Sequence, residues 1–190
     1  MLIKGYRFLA AGLFMLAGWQ LSEGIYIGAK AAVAQLLLQQ AWEETRDGNR
    51  QVPPWPWADT WPVARLKVAR LEVDQVVLAG ASGRTLAFGP GHLFGSARPG
   101  SGGNSVISGH RDTHFRFLEQ LQRGDRMELL RPDGTTVTYA VYRRSVQHKD
   151  DLGVLQKEDD QLTLITCYPF DALVAGGDER YVVEARPVLL

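Results

Sequence analysis

The sequence predicts a mainly β domain, either a barrel or a sandwich, that follows one apolar helix at the N-terminus. Short alternating or β-branched stretches recur from residue 63 to the end of the 190-residue chain, separated by Gly, Pro and Asp turns. Only brief helical stretches lie between them, which argues against a βαβ fold. Ahead of this region, residues 8–19 form an unbroken apolar run.

Composition and charge set the class of protein. Hydrophobic residues make up 45% of the chain and charged residues 22%, as in ordinary globular proteins. Lys+Arg and Asp+Glu number 21 each, so no basic field indicates nucleic acid and no acidic tail indicates a charged partner. One cysteine excludes an internal disulfide framework and a multi-cysteine zinc site. We expect no metal and no cofactor.

The N-terminal run predicts a membrane segment. Lys4 and Arg7 precede residues 8–19, which are shorter than the ~20 apolar residues of a full span. Extension to Ile27 gives enough length, although it takes in three polar residues. The favoured interpretation is a signal-anchor helix over roughly residues 5–27, with the positive flank cytoplasmic and the rest of the chain outside.

Two other interpretations of this run stay open. A cleaved signal peptide fits the charged flank and the short apolar region, and "AVA" at 32–34 has the small-x-small form of a cleavage site. That tripeptide lies far past the apolar run. A buried helix of a soluble protein is the third interpretation. In the first two, the remaining chain faces an extracytoplasmic space.

Two segments lead into the β domain. Residues 28–46 are rich in Ala, Leu and Gln, which favour a helix or stalk above the membrane. Residues 47–62 contain four prolines and three tryptophans, which argue against a regular helix or a central strand. We interpret the second segment as an extended connector, and the next domain begins at about residue 62.

The β domain itself is predicted element by element. Strands are expected within residues 63–80, over Ser105–Ser108, over residues 161–167 and over residues 180–190. A turn and a short helix are expected within residues 83–93, and one or two helical turns over residues 115–125. A hairpin is expected over residues 126–146, closed at Asp133-Gly134. Residues 149–160 read as a polar connection.

Cys167 ends one of these strands, where a thiol is open to chemistry. A cysteine nucleophile needs a partner that makes thiolate available, usually histidine. The candidates are His92, His110, His114 and His148. His110 is favoured because it follows a short apolar strand, and Gly109 before it indicates an unusual backbone conformation. The alternative is that Cys167 is simply a small buried hydrophobic residue.

Arg180 is the candidate oxyanion donor. It begins the strand that follows the loop after Cys167, and neighbouring strands bring their ends to one cleft. Arginine stays charged and offers donors in a fixed fork, which suits the oxyanion formed when a carbonyl is attacked. The alternative is a solvated arginine at a strand end.

Together these residues resemble a sortase. The motifs are "TLITC" with Arg180 thirteen positions after the cysteine, and "GNSVISGHRDTHF" with His110 57 positions before it. The resemblance covers roughly residues 63–188 and includes the N-terminal apolar segment. "GHRDTHF" and "TCYPF" are most similar to the class D branch, and "PWPWADTWP" is similar to sortases of marine and other Gram-negative proteobacteria.

The resemblance implies an eight-stranded sortase β-barrel with short helices and a cysteine transpeptidase that cleaves an LPXTG-like sorting signal. Cys167 would attack the carbonyl of the signal's threonine. His110 would act as general acid and then as general base, and Arg180 would hold the substrate backbone and the oxyanion. Thr166 would lie beside the substrate as a binding residue.

The resemblance also implies the domain organisation and the partners. Residues 1–27 would be the signal-anchor helix, residues 28–61 the helical stalk and Trp/Pro-rich connector, and residues 62–190 the sortase catalytic domain. The implied partners are secreted proteins with a C-terminal sorting signal, an amine acceptor in the envelope, and the membrane. The alternatives are an endopeptidase of the same fold that mainly hydrolyses, and an inactive sortase-like binding module.

Three further features carry alternatives. Asp112 either positions the loop that carries the histidine or is a turn-forming residue. The acidic run within loop 147–161, the family's specificity loop, is interpreted as a solvated face rather than a calcium site such as some class A sortases have. The three tryptophans of residues 55–61 form a lid, sit at the membrane interface or pack on the outside of the barrel, and packing is favoured.

Overall fold

The apolar N-terminal run belongs to one long helix, α1 (Leu2–Arg46). A computed structural model describes residues 2–49, 51–151, 153, 155, 159–174 and 176–188. The chain divides into two compact units, Met1–Leu36 and Leu37–Leu190. In the described part, Gly12–Arg46 is long and apolar enough to cross a membrane, with a mean hydropathy of 1.2. Large apolar side chains of this helix are exposed, among them Phe14, Trp19 and Ile25.

Eight strands form a closed barrel in the order β1-β2-β3-β4-β7-β8-β6-β5. Their bounds are β1 Pro62–Val68, β2 Val73–Ala79, β3 Gly91–His92, β4 Asn104–Ser108, β5 Arg126–Leu130, β6 Thr136–His148, β7 Gln161–Tyr168 and β8 Glu179–Pro187. The helices beside them are short: α2 Gly83–Leu86 and the 3-10 segments Ala69–Leu71 and Arg116–Gln120. The predicted eight-stranded barrel is confirmed, and the sandwich alternative is wrong.

Two neighbouring pairs in the barrel are parallel, β2–β3 and β4–β7, whereas the other six are antiparallel. The β4–β7 pairing runs from Asn104 opposite Gln161 to Ser108 opposite Ile165. Parallel strands end at the same edge of a sheet. The residues that follow β4 and β7 therefore emerge side by side.

The barrel interior is filled by the inward side chains of alternating positions. Leu66, Leu129, Leu164 and Val183 are fully buried members of one continuous core cluster. Strand β1 alternates strictly between buried and partly buried residues, as expected when one face of a strand meets the core. The same alternation assigns every β7 residue to an inner or an outer face, which matters for the candidate site.

A second, smaller cluster covers the outside of β2. Leu38 and Trp42, one helical turn apart near the end of α1, pack with Val76 and Leu78. Trp42 is completely buried. The Leu37–Leu190 unit thus includes the last turns of α1 as well as the barrel.

The Trp/Pro-rich connector has no regular secondary structure. Trp55 packs edge-on against Phe88, with ring centroids 4.7 Å apart, and joins the second cluster. Trp61 lies 6.3 Å from the Phe94 ring. Trp57 is 82% exposed. Two of the three tryptophans therefore pack on neighbouring aromatic rings, as expected, and the third does not.

The β5–β6 hairpin closes at Asp133-Gly134, as predicted. Gly134 has a positive φ of 83°, a conformation that favours glycine. The Asp133 carboxylate accepts a hydrogen bond of 2.9 Å from the Thr135 backbone amide. These local contacts fix the turn, and β6 then continues to His148 beside β8.

Candidate active site

His110 and Cys167 leave the barrel at the same edge. The last parallel pair of β4 and β7 is Ser108 with Ile165, and the amide of Gly109 donates to the Ile165 carbonyl at 3.1 Å. His110 and Cys167 each lie two residues beyond that pair. His110 is exposed and Cys167 is partly exposed. The parallel register thus brings the two candidate residues to neighbouring positions that are open to solvent.

Arg180 lies directly opposite Cys167. The two residues pair in the antiparallel ladder between β7 and β8. Side chains at directly opposed positions share one face of the sheet, with Cβ atoms ~5 Å apart. The Nη1 atom of Arg180 donates to the carbonyls of Gly177 and Glu179 at 2.6 and 2.9 Å. The Nε and Nη2 atoms carry the guanidinium's other three N–H groups.

Thr166 links the two strand ends from the inner face. Its side chain is only 2% exposed, and its hydroxyl donates to the Gly109 carbonyl at 2.7 Å. Cys167, the next residue, points to the opposite face because side chains alternate along a strand. The hydroxyl of Thr166 therefore holds the backbone just before His110, and its role in substrate binding stays a prediction.

Gly109 is required for packing rather than for an unusual backbone conformation. It is not among the glycines with positive φ, so the expected conformational reason is wrong. A Cβ atom at this position would lie 2.6 Å from the Phe115 ring. Phe115 is completely buried, and its amide donates to the His110 carbonyl at 3.0 Å. The turn after β4 is thus folded tightly over a core phenylalanine.

Arg111 is a buried charge between the two strand ends. Only 3% of its side chain is exposed. Its Nη1 donates to the Pro169 carbonyl at 2.6 Å and its Nη2 to the Ala172 carbonyl at 2.9 Å. Its Nε donates to the Asp112 carboxylate at 2.9 Å, and this bond lowers the pKa of Asp112 below its usual range. Asp112 is thus a partner of Arg111, which agrees with its suggested positioning role.

Aromatic residues hold the chain just after Cys167. The ring of Tyr168 stacks on Tyr181 with centroids 6.0 Å apart, and Phe170 meets Tyr181 edge-on at 5.1 Å. The Tyr168-Pro169 peptide bond is cis. Arg116 donates to the Phe170 carbonyl at 2.6 Å. The "YPF" that follows the cysteine is therefore packed against β8 and bonded to the segment after β4.

A sequence model of the sortase domain matches residues 66–188, well over half of the chain. The chain belongs to the sortase family. The matched stretch contains Cys167, His110 and Arg180, the three candidate residues that the barrel brings to one edge.

Known sortases resemble this one over most of the barrel. Sortase D of Bacillus subtilis is 34% identical over 125 residues, which are 65% of this chain and 62% of that protein. The chain therefore matches less than two thirds of that relative's length. The SrtD catalytic domain of B. anthracis is 38% identical, covers 67% of this chain and 87% of that chain, and has a TM-score of 0.57. Both agree with the predicted class D resemblance.

A class A relative extends the structural likeness. Sortase A from Corynebacterium diphtheriae is 27% identical, with a TM-score of 0.63. The match covers 84% of this chain and 86% of that chain. The sortase barrel is thus supported by solved structures from two branches of the family.

The other three histidines of this sortase-family chain sit in different surroundings. His92 is buried and hydrogen-bonded through Nε2 to the Ala97 carbonyl at 2.9 Å, and its burial lowers its pKa. Burial also lowers the pKa of His114, and the neighbouring His110 adds to this effect. His148 is exposed at the end of β6. Of the four, His110 alone directly follows β4 beside the end of β7.

The acidic run before β7 is solvated where the structure describes it. Asp150, Asp151, Asp159 and Asp160 are exposed, and Glu158 lies outside the described residues. Among the residues that the structure describes, no group of three or more His, Cys, Asp or Glu side chains is arranged to hold a metal ion.

Sequence reasoning missed Arg111. The available signal was its place in "GHRD", between the candidate histidine and an aspartate. That signal is weak because a charged residue in a turn is normally solvated. Its burial follows from contacts with Pro169 and Ala172, 58 and 61 positions later, which a local pattern does not reveal.

Proposed function

We propose that this chain is a membrane-anchored cysteine transpeptidase. It cleaves a secreted protein at a C-terminal LPXTG-like signal and transfers that protein to an amine on the cell envelope. The proposal is carried by one observation: the barrel register sets Cys167 beside His110 and opposite Arg180, in a chain of the sortase family. A thiol, an imidazole and a guanidinium at one solvent-open edge are the groups that acyl transfer needs.

The first half-reaction cleaves the signal. The Cys167 thiolate adds to the carbonyl carbon of the signal's threonine, and Arg180 stabilises the oxyanion by charge-assisted hydrogen bonds. The bond from that carbon to the glycine nitrogen then breaks. Protonated His110 gives its proton to the leaving amine. The product is a thioester between Cys167 and the secreted protein.

The second half-reaction transfers the protein. An incoming amine attacks the thioester carbonyl, His110 accepts a proton from that amine, and the Cys167 thiolate leaves. Water in the place of the amine gives hydrolysis, which is the endopeptidase alternative. The two alternatives therefore differ only in which nucleophile reaches the thioester first.

Two observations support the role proposed for Arg180. Arg180 shares a face with Cys167, and its Nη1 bonds to the preceding loop hold the guanidinium at that end of β8. The three N–H groups on Nε and Nη2 supply donors for the substrate carbonyl. We assign Thr166 to the inner side of the same site, where its bond to Gly109 supports the segment that carries His110.

The N-terminal helix is proposed as the anchor, with residues 1–27 crossing the membrane, residues 28–61 as stalk and connector, and residues 62–190 as the catalytic domain outside the cytoplasm. The exposed apolar side chains of α1 support a membrane span. The basic residues at its N-terminal end support a cytoplasmic N-terminus. Because Cys167 is the only cysteine, it reports orientation directly. A membrane-impermeant thiol reagent applied to spheroplasts should label it, and labelling only after permeabilisation would reverse the proposed orientation.

The activity is tested with the full chain in detergent micelles. It is incubated with a diverse set of LPXTG-type peptides and amines, and the intact protein and products are followed by mass spectrometry. We expect an acyl adduct on Cys167 and a new amide product. Absence of both cleavage and adduct across the whole set contradicts the proposal.

The same experiment separates the alternatives. Cleavage that ends in the free acid with every amine identifies an endopeptidase. Peptide binding without any adduct identifies an inactive binding module. The sorting signal that reacts fastest identifies the class of secreted protein that the enzyme uses as substrate. The proteobacterial source stays a prediction, which this experiment does not address.

A further inference from the structure

Two segments meet outside the barrel at the edge where β4 and β7 end. One follows β4 and carries His110, and the other follows Cys167 as residues 169–172. The last backbone hydrogen bond between β4 and β7 runs from the Gly109 amide to the Ile165 carbonyl. Beyond it, the position of His110 relative to the loop after Cys167 depends on side-chain contacts between the two segments.

Arg111 supplies the most buried of these contacts. Its guanidinium makes two hydrogen bonds to the carbonyls of Pro169 and Ala172 and two to the carboxylate of Asp112, at distances from 2.6 to 3.4 Å. A buried charge is tolerated when its hydrogen-bonding groups are satisfied, and here four bonds satisfy it. The planar fork reaches three partners in different directions, which the single ammonium group of lysine does not reproduce.

Arg116 gives an internal comparison. It also donates to the loop after Cys167, at 2.6 Å to the Phe170 carbonyl. Its side chain is 50% exposed and also pairs with Glu119 at 3.2 Å. Both arginines thus tie the same loop to the segment after β4, but Arg111 is adjacent to His110 in sequence and is almost fully buried.

Arg111 is also an electrostatic neighbour of the nucleophile. Its guanidinium interacts electrostatically with Cys167, Asp112 and Asp171. Arg180 pairs with Cys167 across the β7–β8 ladder. Cys167 therefore has two arginines as neighbours, one buried and one partly exposed.

We infer that Arg111 is a positioning residue for the proposed transpeptidation: its buried guanidinium fixes the segment after Cys167 to the segment that carries His110, and so sets the geometry between nucleophile and acid. This inference rests on the proposed function. It assigns Arg111 no contact with the substrate. Its loss should therefore lower the rate of the chemical step and leave substrate binding nearly intact.

The test compares Arg111→Lys and Arg111→Gln with the matched Arg116→Lys and Arg116→Gln variants, all as the full chain in detergent. With the best LPXTG-type peptide, both Arg111 variants should lose about 10²-fold in kcat, the cost of a misplaced reacting group, with KM little changed. Arg111→Lys keeps the charge, so an equal loss of kcat in both Arg111 variants assigns the effect to the geometry of the guanidinium rather than to its charge. The Arg116 variants should retain most of the kcat.

Three kinetic outcomes overturn the inference. They are a wild-type kcat in Arg111→Lys, an equal loss of kcat in Arg116→Lys, and a loss that falls on KM alone. Amide hydrogen exchange of residues 170–172 provides a reading that needs no substrate: exchange should accelerate in Arg111→Lys and far less in Arg116→Lys, and unchanged exchange also overturns it. If the wild type shows no turnover, the proposed function fails, and the exchange measurement still decides whether Arg111 fixes the two segments.

Discussion

Two parts of the Leu37–Leu190 unit are stabilised in opposite ways. The site edge, formed by residues 109–112, 166–172 and Arg180, is held by hydrogen bonds from polar side chains, among them the buried Arg111, to backbone carbonyls. The helix-covered face, formed by Leu38 and Trp42 over Val76 and Leu78, consists of buried apolar side chains. The difference indicates that substitutions at the first part should change the rate, whereas substitutions at the second should change the free energy of unfolding.

Removal of the thiol at the site edge should have the largest effect. Cys167→Ala should abolish both the acyl adduct and the amide product, because no other cysteine exists to replace the nucleophile. The free energy of unfolding should change by about 0.5 kcal/mol or less, since the side chain is partly exposed. Intact-protein mass spectrometry and urea denaturation measure the two quantities. Residual turnover in this variant would assign the chemistry to another group.

Loss of the opposing guanidinium should have the next largest effect. Arg180→Ala should lower kcat by about 10²–10³-fold, the usual cost of removing one oxyanion donor. Arg143→Ala is the matched control, because Arg143 is an exposed arginine of β6 that lies 3.5 Å from Glu184 and away from the Cys167–Arg180 pair. Steady-state kinetics with a labelled peptide separate the two. Equal losses in both variants would remove the assigned oxyanion role.

A substitution on the helix-covered face should show the opposite behaviour. Trp42→Ala should cost roughly 3–5 kcal/mol of stability, because it empties a fully buried site. Turnover per folded molecule should stay close to that of the wild type. Denaturation followed by circular dichroism gives the first value, and steady-state kinetics divided by the folded fraction gives the second. Trp57→Ala is the control, since Trp57 is 82% exposed and should leave both values unchanged.

A kcat loss in folded Trp42→Ala that matches the loss in Arg180→Ala would contradict the comparison. It would mean that the packing of α1 on β2 sets the geometry of the site edge as well as the stability of the barrel. An unchanged free energy of unfolding in Trp42→Ala would also contradict the comparison, because the helix-covered face would then contribute little to the stability of the fold.

Local sequence patterns were enough to predict most strands, the hairpin and the N-terminal helix, because each of these has a periodicity or a turn signal within a few residues. Strand β3 has two residues, too few to show alternation. The strand order and the parallel β4–β7 pairing depend on contacts between residues far apart in sequence, so local patterns left barrel and sandwich open. The resemblance to sortases supplied the barrel.

The candidate site was predictable to a similar degree. The types and order of His110, Cys167 and Arg180 are visible in the sequence, whereas the burial of Arg111 depends on a loop almost sixty residues later. Alternation along "TLITC" does contain one further signal. It places Leu164 and Thr166 on the inner face and Cys167 on the outer face. The inward hydroxyl of Thr166 could therefore have been predicted from the strand pattern alone.

The smallest predicted effect is a change in the free energy of unfolding with pH. It tests whether His92, a buried polar residue outside the site edge, contributes to stability as the helix-covered face does. Burial lowers the pKa of His92 from 6.5 in the folded chain, so the unfolded chain binds its proton more readily. The stabilisation by neutral His92 is complete above pH 6.5 and is lost as the pH falls below that value. His114 acts with the same sign.

Urea denaturation at pH 7.5 and pH 5 should therefore show a lower midpoint at pH 5 in the wild type. His92→Gln keeps a donor for the Ala97 carbonyl but no longer titrates, so its midpoint should fall less between the two pH values. His148→Gln removes an exposed histidine and should behave as the wild type does. An equal acid sensitivity in all three proteins would mean that His92 does not govern stability in this range. Carboxylates such as Asp125, whose pKa the neighbouring Arg70 lowers from 3.8, lose their stabilisation only at a pH below this range.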